Sequence, residues 1–158
     1  MHHNLPCRVY YENTDAGGIV YHAQYLHFAE RGRTEFLRHI GHQSSELKKT
    51  HNLMFVARHL DIQYYAPAFL DDVVTVRTSV AEIKNSSFKM RQLFIRTHAA
   101  QSDQASETPQ NNAQENTGEN TEEKIAEMMV TLVCVRANDI KPLRVPDDLR
   151  RKFVEFTE

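Results

Sequence analysis

A chain of 158 residues, of which 41% are hydrophobic, is long enough for one domain with a sizeable core. No apolar run approaches the roughly 18 residues that span a bilayer, and no basic region precedes an apolar core at the N-terminus. We therefore expect a cytoplasmic protein with no transmembrane segment, no signal peptide and no nucleic-acid partner. The formal net charge of −2 by itself says little.

The two cysteines, Cys7 and Cys134, lie in apolar, strand-like stretches without a pairing or metal-binding pattern. We interpret them as buried free thiols in a reducing compartment. His22 and His27 are five residues apart, a poor spacing for one helix face, and the nine histidines form no convincing ligand set. We therefore predict no metal site.

The first predicted elements are a short strand and a long helix. Val9 and the neighbouring tyrosines give residues 6–11 the composition of a strand. Apolar residues then recur at helical spacing, which predicts a helix of about four turns from Tyr25 to its end at Gly41. The apolar stripe comprises Tyr25, Phe28, Ala29, Gly32, Phe36 and Ile40. Residues 44–49 are predicted to form one further turn.

The second half of the chain has the period of strands. Four strands are predicted in this half of the chain. The first of them ends near Tyr64, and the others span 73–83, 88–97 and 125–136. In that first strand, Arg58 interrupts a face formed by Met54, Val56, Leu60, Ile62 and Tyr64. In the strand at 88–97 the apolar phase slips between Met90 and Leu93, which indicates a bulge or burial on both sides. Asp147 is predicted to cap a final helix over 148–153.

One segment differs in composition from the rest. Residues 99–124 contain no aromatic and no large aliphatic side chain, so we expect a disordered or mobile inserted loop. Six of the 21 acids lie in residues 101–123, which hold no Lys or Arg, so the remainder has 15 acids against 19 bases. Such a mildly basic body suits a phosphate-bearing ligand, although solvated surface alone has the same charge in many proteins.

The order of the elements predicts an α+β fold. One strand, a long helix and four strands with mostly short connections indicate a single domain over 1–158, with an antiparallel five-stranded sheet and one helix packed across it. One helix cannot cover both faces of such a sheet. We therefore expect the open face or a sheet edge to contact a partner subunit.

Residues 13–25, NTDAGGIVYHAQY, place an acid on a Gly-Gly turn just ahead of a predicted helix with His22 in its first turn. The spacing alone favours a capped turn, in which Asp15 is the cap and the glycines supply positive φ. The same residues can also form a catalytic site, because a carboxylate attacks carbonyls or activates water and helix-terminal N–H groups stabilise an oxyanion.

The spacing of this motif resembles the signature of the 4-hydroxybenzoyl-CoA thioesterase family, and most closely its Tol–Pal-associated acyl-CoA thioesterase branch. The matching positions are Arg8-Val9, Thr14-Asp15, Gly18-Ile19-Val20, Tyr21-His22 and Tyr25. The likeness continues through the helix and the segment Tyr64–Asp72, and it covers most of the chain except residues 99–124.

The resemblance implies a hotdog fold, a curved antiparallel sheet wrapped around a central helix, assembled as a homodimer or homotetramer with active sites at the dimer interface. It implies hydrolysis of an acyl-CoA thioester to free acid and CoA, without a cofactor. Asp15 would act as nucleophile or general base, and the N–H of His22 would polarise the carbonyl while its side chain orients water or substrate. Gly18 and Tyr25 would be substrate-binding positions.

A CoA substrate requires cations for its phosphates. Lys84, Lys89 and Arg91 flank a predicted turn, and Ser86 and Ser87 could hydrogen-bond the pantetheine arm. Ordinary solvated strand residues explain the same pattern equally well.

Four alternatives differ from this interpretation in the activity, the acyl donor or the catalytic acid. A dehydratase acting on acyl carrier protein needs a His base and a separate acid, which the Thr14-Asp15 pair argues against. A non-catalytic acyl-binding or scaffold protein of envelope assembly is also compatible, and acyl carrier protein could be the acyl donor. Some hotdog enzymes place the catalytic acid on the central helix, but here we interpret Glu30 and Glu35 as surface or ion-pair residues.

Overall fold

The computed structural model describes residues 1–98 and 121–157. The predicted loop at 99–124 lies outside these residues except for its last four. The strands are β1 (His3–Arg8), β2 (Leu53–Tyr64), β3 (Val73–Ile83), β4 (Ser87–His98) and β5 (Thr121–Arg136). The helices are α1 (Gln24–His39), α2 (Ser44–His51) and α3 (Asp147–Glu155). In the described ranges, no helix is long and apolar enough to cross a membrane.

The five strands form one antiparallel sheet in the order β1-β3-β4-β5-β2. The predicted α+β class and five-stranded sheet are therefore confirmed. Helix α1 packs against this sheet through its predicted apolar stripe, and Phe28, Ala29 and Phe36 are fully buried there. Gly32 brings the helix close to the sheet, since a Cβ at this position would lie 2.8 Å from Cγ1 of Val76.

Several element boundaries differ from the prediction. Strand β1 starts and ends about three residues earlier than expected, and β5 begins four residues earlier, at Thr121. The early start of β5 has a clear cause. Glu122 forms an ion pair with Arg77, and Glu123 forms an ion pair with Arg96 and a hydrogen bond with His98, so acids that looked like loop residues extend the sheet. α2 is a complete helix of eight residues rather than a single turn.

A bulge at Arg58 changes the face of β2. Ala57 pairs with Leu132 and His59 pairs with Thr131, which leaves Arg58 without a partner in the register. Directly paired residues share a face of the sheet. Leu60, Ile62 and Tyr64 therefore lie on the same face as Phe55 and Ala57, and the predicted single face that joined them to Met54 and Val56 is wrong.

The predicted bulge in β4 between Met90 and Leu93 is wrong, and the alternative of burial on both sides fits, since Leu93 is half-buried on the face opposite Met90. Phe88, Met90, Gln92 and Phe94 are all buried, so the alternation continues through a polar residue that faces the core. Gln92 is satisfied there: its amide nitrogen donates to Ala29 O (2.9 Å) and to Thr78 Oγ1 (3.2 Å), and its oxygen accepts from Arg33 (2.8 Å). The register irregularity occurs later, between Phe94 and Ile95.

Candidate active site

The motif forms a tight loop closed by its own backbone. Asp15 N–H donates to Ile19 O at 2.9 Å, Gly18 N–H donates to Asp15 O at 3.0 Å, and Thr14 pairs with Val20. The Asp15 side chain is exposed, and its Oδ1 accepts a hydrogen bond of 2.8 Å from Gly17 N–H. Among the described residues, Oδ2 has no hydrogen-bond partner. The loop thus fixes one carboxylate oxygen and presents the other to solvent.

The two glycines act in different ways. Gly18 has φ +78°, which other residues rarely adopt, while the space around it is open. Gly17 acts through contact instead, since a Cβ there would lie 3.0 Å from Asp15 Oδ1 and the carboxylate would have to shift to make room. The carboxylate position therefore depends on the missing side chain at Gly17, and the loop conformation depends on Gly18.

His22 lies in a turn before α1, whose N-cap is Ala23, and not in the first turn of the helix as predicted. Its backbone N–H has no acceptor in the part of the chain that the structure describes. Its carbonyl accepts a hydrogen bond of 2.8 Å from the Tyr64 hydroxyl, and its exposed ring contacts that of Tyr21. The unpaired N–H can therefore donate to a ligand oxygen.

Asn13 connects the motif loop to the helix start, a role that the sequence did not reveal. Its side chain is buried, accepts from Tyr10 N–H at 2.8 Å and donates to Gln24 Oε1 at 3.2 Å. Its carbonyl accepts from Tyr21 N–H at 2.8 Å. The signal available in the sequence was a polar residue directly before Thr14-Asp15, which is also common in ordinary turns.

Tyr25 is buried in the single chain, where it packs behind the motif loop, and its substrate-binding role stays a prediction. Its ring contacts those of Tyr64 and Phe94, both at a centroid distance of 5.3 Å. Burial raises the pKa of Tyr25 to about 12, against a smaller opposing effect of the Ala68 backbone. Tyr25 is thus a neutral packing residue behind Tyr64.

The segment between β2 and β3 packs against the motif loop and forms backbone contacts with it. Val20 N–H donates to Ala68 O at 2.8 Å, and Ile19 pairs with Phe69. Arg96 holds this segment through Asp72, whose carboxylate also accepts from Phe69 N–H. Arg96 therefore stabilises the segment between β2 and β3, against which the Asp15 loop packs.

Most of the predicted CoA-binding residues lie at the opposite end of the sheet, whereas Arg91 lies opposite Ser79 near the middle of β3. The motif packs near the Val73 end of β3, whereas Ser86 and Ser87 follow its Ile83 end, and the eleven residues of this strand span roughly 35 Å. Lys84 and Lys89 share Glu82, at 3.3 and 2.9 Å, and Arg91 pairs with Glu127 at 2.7 Å. A single chain therefore brings Asp15, Gly18 and His22 together but keeps them away from Ser86 and Ser87.

An apolar cavity of about 220 Å³ lies between α1, α2 and β2. Its walls include Leu37, Leu47, Phe55, Ala57, Phe88 and Phe153. Glu30, Arg33 and Thr34 also border the open groove over the exposed side of α1, so they mark the mouth of the cavity. Asp15 is not part of its wall.

A group of exposed apolar side chains surrounds the motif and the free edge of β2. We call it the motif patch, and it consists of Ile19, Tyr21, Leu26, Leu60, Tyr64 and Phe69, which are 37–45% exposed. Adjacent exposed apolar side chains of this size are typical of contact surfaces rather than of solvated ones.

Comparison with known proteins agrees with the fold. The profile of the thioesterase-like superfamily matches residues 9–153. The chain is 34% identical to the acyl-CoA thioesterase YbgC of Haemophilus influenzae, over 95% of this chain and 93% of that protein. It is 36% identical to the acyl-CoA thioester hydrolase YbgC of Escherichia coli, over 94% of this chain and 92% of that protein.

Solved structures show the same architecture. A probable thioesterase from Bartonella henselae superposes with a TM-score of 0.71 and 29% identity, over 92% of this chain and all of the other (100%). The dynemicin thioesterase, at 22% identity, shares the fold with a TM-score of 0.75. The chain is therefore a hotdog-fold protein that belongs to the thioesterase-like superfamily.

Proposed function

We propose that this protein hydrolyses acyl-CoA thioesters, with Asp15 as its catalytic carboxylate. The proposal rests on two neighbouring features of residues 13–25. One is the exposed carboxylate of Asp15, which a backbone N–H holds in place, and the other is the unpaired N–H of His22 in the turn before α1. Relatives that cover nearly the whole chain are acyl-CoA thioesterases by name, which supports this substrate class.

Two routes use this arrangement. In the first, a carboxylate oxygen of Asp15 attacks the thioester carbon, the C–S bond breaks, CoA thiolate leaves, and water hydrolyses the resulting anhydride. In the second, Asp15 removes a proton from water as the water oxygen attacks the same carbon, the C–S bond breaks, and CoA leaves as the thiolate, which gives the free acid. In both, the carbonyl oxygen gains negative charge, and the His22 N–H would donate to it. The His22 side chain would orient the water or the substrate.

The exposed site requires a second copy of the chain. In the described ranges, β2 pairs with β5 only, which leaves its other edge unpaired over twelve residues. Its inner face from Ala57 to Tyr64 is apolar but mostly exposed. We propose that the β2 edges of two protomers pair antiparallel about a two-fold axis and bury the motif patch.

Such pairing would bring opposite ends of the two sheets together. The Tyr64 end of one β2, next to Asp15, would face the Leu53 end of the partner's β2. That end of the sheet also carries Ser86, Ser87 and their basic neighbours, so these residues could bind CoA only at the partner's Asp15. A homodimer, alone or within a homotetramer, is then the minimal active unit.

The test is the Asp15→Asn variant, assayed with short, long and aromatic acyl-CoAs. We expect loss of about 10²–10⁴-fold in kcat/KM, with an unchanged melting temperature because the side chain is exposed. Glu12→Gln, another exposed acid in the same segment, serves as the control and should keep full activity. Hydrolysis by Asp15→Asn within twofold of wild type would refute the assignment.

Binding without turnover by the wild-type protein would favour the scaffold alternative. Turnover of acyl carrier protein thioesters in preference to CoA thioesters would change the donor but not the chemistry. The cytoplasmic location and the Tol–Pal association remain predictions.

A further inference from the structure

We propose that Asn13 and Gln24 are positioning residues, which together hold the N–H of His22 in a fixed place relative to the carboxylate of Asp15. They would act through these two groups and not through contact with the substrate. This inference rests on the proposed function, because it assigns a role to the side chains that connect the two halves of the same site.

Asn13 is bonded to the chain on both sides of His22. Its carbonyl accepts from Tyr21 N–H at 2.8 Å, one residue before His22. Its Nδ2 donates to Gln24 Oε1 at 3.2 Å, two residues after His22. Asn13 itself lies two residues before Asp15 in the chain. One residue therefore connects the segment that carries the carboxylate to the turn that carries the proposed oxyanion donor.

The two side-chain amides form a chain of hydrogen bonds with one direction. At one end, Tyr10 N–H donates to Asn13 Oδ1 at 2.8 Å, and at the other end Gln24 Nε2 donates to Glu12 O at 3.4 Å. A backbone N–H only donates and a carbonyl only accepts, so these ends determine how both amides are oriented. Each link needs one acceptor and one donor on the same side chain, which an amide has and an ionised carboxylate or an ammonium group lacks. Asn and Gln therefore suit these two positions.

Burial makes the connection rigid. The Asn13 side chain is buried, whereas Asp15 and His22 are exposed, so the two proposed reacting groups are held from the inside of the fold. A buried amide that loses its partner retains its desolvation cost, which keeps the pair with Gln24 closed. A displacement of about 1 Å in a catalytic group lowers a rate about 10²-fold. We therefore expect the pair to affect the turnover of bound substrate more than its affinity.

A double-mutant cycle on kcat tests the pair. Gln24→Ala should lower kcat about fivefold, the effect of one lost hydrogen bond, with KM nearly unchanged because the substrate contacts remain. In the Asn13→Ala background the same substitution should have no further effect, since the connection is already broken. Equal factors in both backgrounds would mean that Gln24 acts without Asn13 and would overturn the proposal. A change in KM alone would overturn it as well.

Gln43→Ala is the matched control. Gln43 also lies at the start of a helix, and its side chain forms no cap hydrogen bond, so kcat and KM should stay at wild-type values. Should Asn13→Ala fail to fold, Asn13→Ser replaces it in the cycle, because a hydroxyl can accept from Tyr10 N–H but is too short to reach Gln24. A lower melting temperature with unchanged kcat in Gln24→Ala would show a purely structural role and contradict the proposal.

The backbone amide NMR signal of His22 reports the same arrangement without substrate. We expect Gln24→Ala to shift or broaden this signal, because the turn before α1 loses its connection to Asn13. Gln43→Ala should leave the signal in place. An unchanged His22 signal in Gln24→Ala would count against the inference whatever the activity.

These outcomes are separable from failure of the proposed function. If the wild-type protein hydrolyses no acyl-CoA, or if Asp15→Asn keeps full activity, the proposed function fails. If hydrolysis depends on Asp15 but Gln24→Ala keeps wild-type kcat and an unchanged His22 signal, only the inference about the pair fails.

Discussion

The hydroxyl of Tyr64 donates a hydrogen bond of 2.8 Å to the backbone carbonyl of His22, and so connects the end of β2 to the turn before α1. This contact holds the residue whose N–H we assign to the oxyanion. Because Tyr64 is 40% exposed, its hydroxyl contributes little to the stability of the protomer.

We predict that Tyr64→Phe lowers kcat about fivefold, the effect of one hydrogen bond of about 1 kcal/mol, and leaves the melting temperature nearly unchanged. Steady-state kinetics and thermal unfolding of the same preparation check this. Tyr65→Phe, at an exposed neighbour whose hydroxyl is 3.4 Å from Glu127, is the matched control and should keep wild-type kcat. A large loss of stability without a loss of kcat in Tyr64→Phe would contradict the assigned role.

Substitutions at the two glycines of the motif should have different effects, one mainly on activity and the other mainly on stability. Gly17→Ala places a Cβ at 3.0 Å from Asp15 Oδ1, so the carboxylate must move and we expect kcat to fall at least tenfold with the fold intact. Gly18→Ala meets no contact but forces φ +78° on alanine, at a cost of about 1–2 kcal/mol. Urea unfolding and kinetics on both variants test the contrast, and equal effects on both measurements would refute it.

The buried amide of Gln92 should matter for stability. Gln92→Leu keeps the approximate volume but removes the partners of Arg33 and Thr78 inside the core. We predict a decrease in the free energy of unfolding of about 2–3 kcal/mol, because groups left unsatisfied in the core retain their desolvation cost. Urea denaturation measures it. Gln63→Leu, at an exposed position of β2, should change stability by less than about 0.5 kcal/mol.

Acid should weaken the ion pairs on the outer face of the sheet, the face that α1 does not cover. The hydrogen bond from Arg91, and then that from Lys124, lower the pKa of Glu127 below its usual value of 4.5. The unfolded chain then binds a proton more readily than the folded one, so this stabilisation is complete above about pH 4.5 and is lost as pH falls towards the lower folded pKa. We expect Glu127→Gln to flatten the loss of stability below pH 4.5, measured by urea unfolding at several pH values. An unchanged slope would contradict it.

The sequence predicted the architecture well where local chemistry and tertiary packing agree. Strand β3 has the predicted bounds, and α1 buries the predicted stripe, because clear period-2 and period-3.6 patterns meet one core. The polar Gln92 was misread as a phase slip, since its three hydrogen-bond partners come from other elements. Long-range partners of this kind have no local signature.

The candidate site was predictable in its residue types more than in its geometry. Residues 13–25 identified Asp15 and the glycines, whose roles depend on backbone within five residues. The position of His22 outside α1 and the support from Asn13 depend on contacts with β2 and with the helix start. The separation of Ser86 from Asp15 follows from the sheet order, which spacing along the chain does not reveal.

The unpaired Arg58 makes the number of residues in β2 matter. Because Ala57 and His59 pair with the consecutive residues Leu132 and Thr131, deleting Arg58 would leave a regular strand in which the residues beyond it keep their face. Deleting Gln63, in the regular part of the strand, would instead turn Tyr64 to the other face and detach its hydroxyl from His22. Loss of one residue should therefore be tolerated at the bulge and selected against beyond it.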